Sequence, residues 1–167
     1  MPSEEIRSDL RAAILCWCAT VSADGEPNVS PKEIFAPHGE DSLVIADIAS
    51  PITIRNIRAN PQICVSAIDI FRQKGWKING MARVIARQEA EFADLSRELS
   101  AMAGPHFPIR HVIHMRITRH ARIIAPSYRF MPEMSAEQRM ALVWDAYGVR
   151  PTGTTTNESP PADNNVS

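Results

Sequence analysis

The sequence predicts a small antiparallel β-barrel of six strands, with helices at both ends and one inserted helix. Three observations lead there. Apolar and β-forming runs recur at short spacing with tight turns between them, and Asp24-Gly25 is a strong hairpin signal. Helical patterns sit at the two ends and interrupt the strand series. Closing the sheet would remove its exposed edges.

The elements follow in order. Ser3 to about Ala13 reads as an amphipathic helix with Ile6, Leu10 and Ala13 on one face. Ile14 to Ser22 is the first strand, and Pro27 to Phe35 returns from the Asp24-Gly25 turn. Pro31 inside that return strand points to an edge, a bulge or a backbone group left free. A turn over Pro37-His38-Gly39-Glu40-Asp41 leads to the apolar run Leu43-Val44-Ile45-Ala46-Asp47. Ser50 and Pro51 then start a short helix, which Asn60-Pro61 stops.

Gln62 to Phe71 and Trp76 to Ala86 read as strands around a turn or bulge at Gln73-Lys74-Gly75. Gly80 marks a close approach to the backbone. Phe92, Leu95, Leu99 and Met102 line one face of a helix from about Gln88 to Ala103, ended by Gly104-Pro105. His111 to Thr118 and Ala121 to Ala125 supply the last strand or strands. Ser135 and Gln138 form a capping box for a final helix, with Met140, Val143, Trp144 and Tyr147 as its apolar stripe. From Thr152 onward little can be buried, so residues 1–150 read as one domain and 151–167 as a disordered tail.

Composition narrows the function. The 167 residues are 44% hydrophobic with a net charge of −1, so no global field draws the chain to nucleic acid or to an anionic membrane. No apolar run approaches the roughly 20 residues that span a bilayer. The acidic start lacks a signal-peptide pattern. Cys16 and Cys18 alternate onto one strand face and read as buried apolar groups; with Cys64 they form an odd set that fits a reducing cytoplasm. No second cysteine pair stands at zinc spacing, so no metal site is expected.

The helix starting at Ser50-Pro51 would turn free backbone N–H groups and its positive dipole end outward near Thr53, an arrangement that suits a phosphate. No Ser-His-Asp set and no glycine-rich nucleotide loop is visible.

At this point four segments in order resemble a known family. Ala19-Thr20-Val21-Ser22-Ala23-Asp24-Gly25-Glu26-Pro27-Asn28-Val29-Ser30-Pro31-Lys32 is similar to the first hairpin of the FMN-binding split-barrel proteins, the relatives of pyridoxamine 5′-phosphate oxidase. Ala46-Asp47 followed by Ser50-Pro51-Ile52-Thr53-Ile54-Arg55-Asn56 resembles their phosphate-side helix. Gln73-Lys74-Gly75-Trp76-Lys77-Ile78-Asn79-Gly80 resembles a later hairpin, and Ala125-Pro126-Ser127-Tyr128 a stretch after the last strand.

The resemblance implies a split barrel of Greek-key type and a homodimer holding FMN between its subunits. It places Asn28, Val29, Ser30, Pro31 and Lys32 along the flavin, with Ala46 and Asp47 flanking it. Ile52 and Thr53 take phosphate-contact positions, with Asn56 beyond them. Gly75, Trp76 and Lys77 would come from the partner subunit. The implied activity is FMN-dependent oxidoreduction of a small molecule, with no catalytic residue assigned. The alternatives are non-catalytic flavin storage and a deazaflavin (F420)-dependent reductase. Tetrapyrrole handling finds no well-placed axial histidine.

Two departures from the family pattern matter. Ile52 stands where many relatives carry Lys or Arg, so one phosphate cation is missing unless Arg55 or Lys32 replaces it. Glu91-Phe92-Ala93-Asp94-Leu95 and Pro126-Ser127-Tyr128-Arg129 stand where the true oxidase carries its substrate-binding basic residues, so pyridoxamine phosphate is not the expected substrate.

Plainer readings stand beside these. Trp76 also fits a core position, Lys32 a solvated strand position, and Asp47 a turn cap. Arg55 and Arg58 fit the wet face of a short helix. The basic stretch from His106 to Arg122 alternates across a strand and cannot form a single site.

Overall fold

In the computed structural model, residues 4–152 are described, so the expected 151–167 tail lies almost wholly outside the described residues. Helix α1 (Glu4–Ala12) leads into strands β1 (Cys16–Val21), β2 (Pro27–Lys32), β3 (Phe35–His38) and β4 (Ser42–Asp47). Helix α2 (Pro51–Ala59) separates them from β5 (Gln62–Asp69) and β6 (Lys74–Ala86). Then come α3 (Phe92–Leu95), α4 (Arg97–Ala103), β7 (His111–Ile124), α5 (Ser127–Phe130) and α6 (Ala136–Tyr147).

The strands form one antiparallel sheet in the order β2-β1-β5-β6-β7-β4-β3. Its two edge strands, β2 and β3, are consecutive in the chain, with Glu33 and Ile34 between them. The sheet must therefore curl until its edges meet, which gives a split barrel. Over the described residues the sheet has seven strands where the sequence predicts six. The extra one is β3, whose Phe35-Ala36-Pro37-His38 pairs with Ser42–Ile45 although its proline reads as a turn. Edge position makes that proline tolerable, as it does Pro31 in β2.

Two cores sit on opposite faces of β4, and this explains its unbroken apolar run. Leu43 and Ile45 point into the barrel with Cys16, Cys18, Val65, Ile78, Ile113 and Met115, plugged by Ile6 and Leu10 of α1 and by Ile54 and Ile57 of α2. Val44 and Ala46 point the other way, against Leu95 of α3 and Leu99 of α4. Burial pushes the Cys16 thiol up to about 12 and the Cys18 thiol to about 11, so both behave as small apolar groups.

The predicted helix from Gln88 to Ala103 is instead two short helices, broken at Ser96. The last strand is continuous over 14 residues. Its pairing with β6 shifts register at Asn79/Gly80. There a side chain at Gly80 would meet the Arg116 carbonyl, so the close approach read from Gly80 comes from the neighbouring strand. The capping box forms as read: Ser135 Oγ accepts from Gln138 N–H, and the Gln138 side chain accepts from Ser135 N–H. Arg139, also on α6, reaches back to the carbonyls of Ser127, Met131 and Met134, which pins the preceding loop.

His114 supplies a pH prediction. Its Nε2 is buried without a hydrogen-bond partner. Burial holds its pKa below the ordinary histidine value; Arg83 and His38 add to the depression, while Glu91 and Asp41 oppose it. The folded state thus resists a proton that the unfolded chain accepts near pH ~6.5. This contribution is complete above that value and is lost as the pH falls from it through the lower folded-state pKa. Urea midpoints of the wild type should drop on acidification through that window, and the drop should be smaller in His114→Gln. Parallel profiles for the two proteins would refute it.

Candidate functional site

Alternation on β2 sends Asn28, Ser30 and Lys32 to one face and Val29 and Pro31 to the other. The first three line the join with α2: Ser30 bonds it directly, Asn28 reaches it through Thr20, and Lys32 bonds the residue before it. The Asn28 amide donates to Thr20 Oγ1 at 3.2 Å, and Asn56 Nδ2 donates to the same hydroxyl at 3.2 Å. The Ser30 and Thr53 hydroxyls hydrogen bond at 3.0 Å. Lys32 Nζ donates to Ser50 Oγ.

The line continues past the helix start. Ser50 N–H donates to Asp47 Oδ1 at 3.0 Å, and His111 Nδ1 lies 2.8 Å from Asp47 Oδ2. A carboxylate only accepts, so Nδ1 carries the hydrogen. One polar seam thus runs from β2 across the start of α2 to β4 and β7. Thr20, Lys32, Asp47, Thr53 and Asn56 within it are all buried.

Ser50 does not cap its helix with its side chain, contrary to the expectation. Its hydroxyl serves Lys32 instead, and the Asp47 carboxylate takes its N–H. Asp47 therefore acts as the turn-capping group of the plainer reading. Lys32 is not a solvated strand residue: burial pushes its ammonium below the ordinary lysine range, with Cys18, Asp47 and Cys16 opposing the shift.

The first hydrogen bond of α2 runs from Ile54 N–H to Ser50 O at 3.2 Å. The N–H groups of Ile52 and Thr53 precede it and have no intrahelical acceptor. Ile52 is 48% exposed beside Thr53, which is 0% exposed. An apolar side chain thus stands at the helix start, between the buried Thr53 and the Ser50 hydroxyl that Lys32 holds.

The remaining expected residues lie elsewhere. Ala46 is buried in the core on the far face of β4. Val29 faces outward opposite Ala19 of β1, with Pro31 opposite Trp17. Gly75, Trp76 and Lys77 open β6. Trp76 is buried against α1: its Nε1 donates to Asp9 Oδ2 at 2.7 Å, and the Arg122 guanidinium lies 4.6 Å from its ring centre. Register puts Lys32, Cys16, Ala67 and Trp76 in one row, three strand steps or roughly 14 Å across. A single chain does not bring Gly75–Lys77 to the seam.

Thr20 and His111 belong to the seam but were not among the expected residues. Thr20 was within reach of the sequence, since it alternates with Cys16 and Cys18 and faces Asn28 across the hairpin. His111 lies 64 positions from Asp47 and carries no local signal.

A family model described as pyridoxamine 5′-phosphate oxidase matches residues 2–123. No curated protein matches the chain. Among solved structures, an FMN-binding protein from Syntrophomonas wolfei subsp. wolfei is 16% identical, with a TM-score of 0.64 over 73% of this chain and 86% of that one. An F420 reductase is 23% identical, with a TM-score of 0.53 over 72% and 98%. HutZ, the heme storage protein from Vibrio cholerae, is 20% identical, with a TM-score of 0.57 over 73% and 93%. These likenesses speak to the fold, and the three names carry three different ligands.

Proposed function

The chain belongs to the pyridoxamine 5′-phosphate oxidase family, and from that premise we infer that it is an FMN-binding flavoprotein acting as an oxidoreductase on a small molecule. The observation that supports this most is the join between β2 and the start of α2. Ser30 meets Thr53, and Lys32 meets Ser50, beside two backbone N–H groups with no helical acceptor. That donor set fits a phosphate. Asp47, the seam's one carboxylate, has both oxygens occupied and so does not present a free anion to it.

In this reading Ser30, Thr53 and the Ile52 and Thr53 amides hold the phosphate end. Lys32 supplies charge through Ser50, and Asn28 and Asn56 orient the seam through Thr20. When bound, FMN supplies two-electron redox chemistry; the protein supplies position and polarity.

The active form is a homodimer, with Gly75, Trp76 and Lys77 of one subunit completing the site of the other. Their separation from the seam within one chain supports this. So does the outward sheet face, where Trp17, Val29 and Met81 are exposed. The unpaired thiols fit a reducing compartment such as the cytoplasm.

The test is a titration with FMN followed by desalting. Retained visible flavin absorbance supports the reading, and its loss at saturating FMN overturns it. Bleaching by a reduced nicotinamide then separates an oxidoreductase from a storage protein. Displacement of FMN by F420 at lower concentration would reassign the cofactor.

A further inference from the structure

Seven arginines among the described residues pair with carboxylates: Arg7, Arg11, Arg72, Arg83, Arg97, Arg122 and Arg150. Arg87 and Arg139 donate to backbone carbonyls, and Arg129 lies near the Phe130 ring. Three of the others, Arg55, Arg58 and Arg110, have no such partner among the described residues, and they gather at one place. Arg55 and Arg58 stand one turn apart on the wet face of α2. Arg110 is held beside them because its N–H donates to Asp47 O at 2.8 Å.

These side chains line two adjoining hollows of about 310 and 540 Å³ that share Arg58, Arg110 and His111; Arg55 lines the first and Arg87 the second. With His111 Nδ1 committed to Asp47, its Nε2 is the nitrogen left for a ligand. Among the described residues Asp47 is the sole carboxylate in either lining, and both its oxygens are already used. Guanidinium groups crowded without acids repel one another, and stable surfaces usually intersperse the signs. An anion seated among them would relieve that repulsion.

We propose that Arg55, Arg58, Arg110 and His111 form a binding site for a small anion bearing two phosphate-type groups, separate from the Ser30–Thr53 join. The arginine fork matches phosphate oxygens two at a time. Three forks around two hollows exceed what one phosphate needs. Thr53 and Asn56 face β1 and β2, whereas Arg55 and Arg58 turn away from them, so α2 would serve two ligands from two faces.

The experiment is calorimetric titration of the full-length protein, preloaded with FMN, with inorganic pyrophosphate at fixed ionic strength. The expected result is saturable binding, weakened about tenfold or more in Arg58→Gln and in Arg110→Gln and unchanged in Arg129→Gln. Both cavity arginines are exposed, so thermal unfolding of the variants should match wild type. Their FMN titrations should match too, which keeps this result independent of the flavin reading. Absence of saturable binding, or equal binding by all variants, would overturn the proposal. Mutual exclusion of pyrophosphate and FMN would overturn it as well, since the cluster would then be the flavin's own phosphate pocket.

Discussion

Gly75→Ala should destabilise the protein by ~3 kcal/mol or more, a large share of the stability typical of such domains. A methyl group at Gly75 would lie 2.0 Å from the Ala67 carbonyl oxygen and 2.7 Å from the Ile68 Cα. Both are backbone atoms of β5, and Gly75 pairs directly with Ile68. Neither neighbour can swing aside as a flexible side chain would. Relief requires β5 and β6 to separate at the row next to the one that carries Trp76 and its bond to Asp9.

Gly25→Ala is the control. Its φ is +86°, yet nothing lies within 4 Å of the added methyl, so only the backbone conformation is penalised, by about 1 kcal/mol. Thermal unfolding should separate the two variants by several degrees, since each kcal/mol shifts the midpoint by roughly 2–4 °C in a domain of this size. Equal midpoints would refute the pairing drawn for this part of the sheet.

What could be read from the sequence was local. The Asp24-Gly25 hairpin, the Ser135/Gln138 box and the stop at Asn60-Pro61 each depend on neighbours within a few residues, and each forms as read. Alternation placed Cys16 and Cys18 on one buried face for the same reason. The failures involve partners far apart in the chain. Ser50 reads as a cap because capping is a local competition. Its hydroxyl goes instead to Lys32, 18 residues earlier, a buried cation that needs an acceptor more. Across the break at Ser96, Phe92, Leu95 and Leu99 still pack against one core, while Met102, expected on that face, is half exposed; apolar spacing alone reveals neither. Arg55 and Arg58 read as a wet helix face until Arg110 is folded against them.

The same logic bears on the seam. Each expected β2 residue that faces α2 is bonded within it, whereas the expected β6 residues are three strands away. Local resemblance assembles the first group because β1, β2 and α2 close on one another within a short stretch of chain. It reaches the second group only if another copy brings Gly75–Lys77 alongside. A dimer-disrupting charge on the outward sheet face, such as Val29→Glu, should therefore weaken FMN binding without unfolding the protein. Val29 is more than half exposed, so the charge stays in water in the separated chain. Unaltered FMN binding by a demonstrated monomer would remove the partner's contribution.

Ile52→Lys should tighten FMN binding about tenfold, equivalent to ~1.4 kcal/mol. Ile52 is half exposed in the first turn of α2, where a lysine ammonium can reach an anion near the free N–H groups while its stem covers the surface that isoleucine covers now. The gain should fade at high salt, because an exposed cation is screened. Thr53→Ala tests the buried side of the same turn. It removes the hydroxyl bonded to Ser30 and leaves the Ser30 oxygen without that partner, which should weaken FMN binding severalfold at little cost in fold stability, of order 1 kcal/mol. The two substitutions sit on adjacent residues, one wet and one dry, and they push affinity in opposite directions. Fluorescence titrations of both against wild type read the result directly. Three superimposable curves would move the phosphate away from the start of α2.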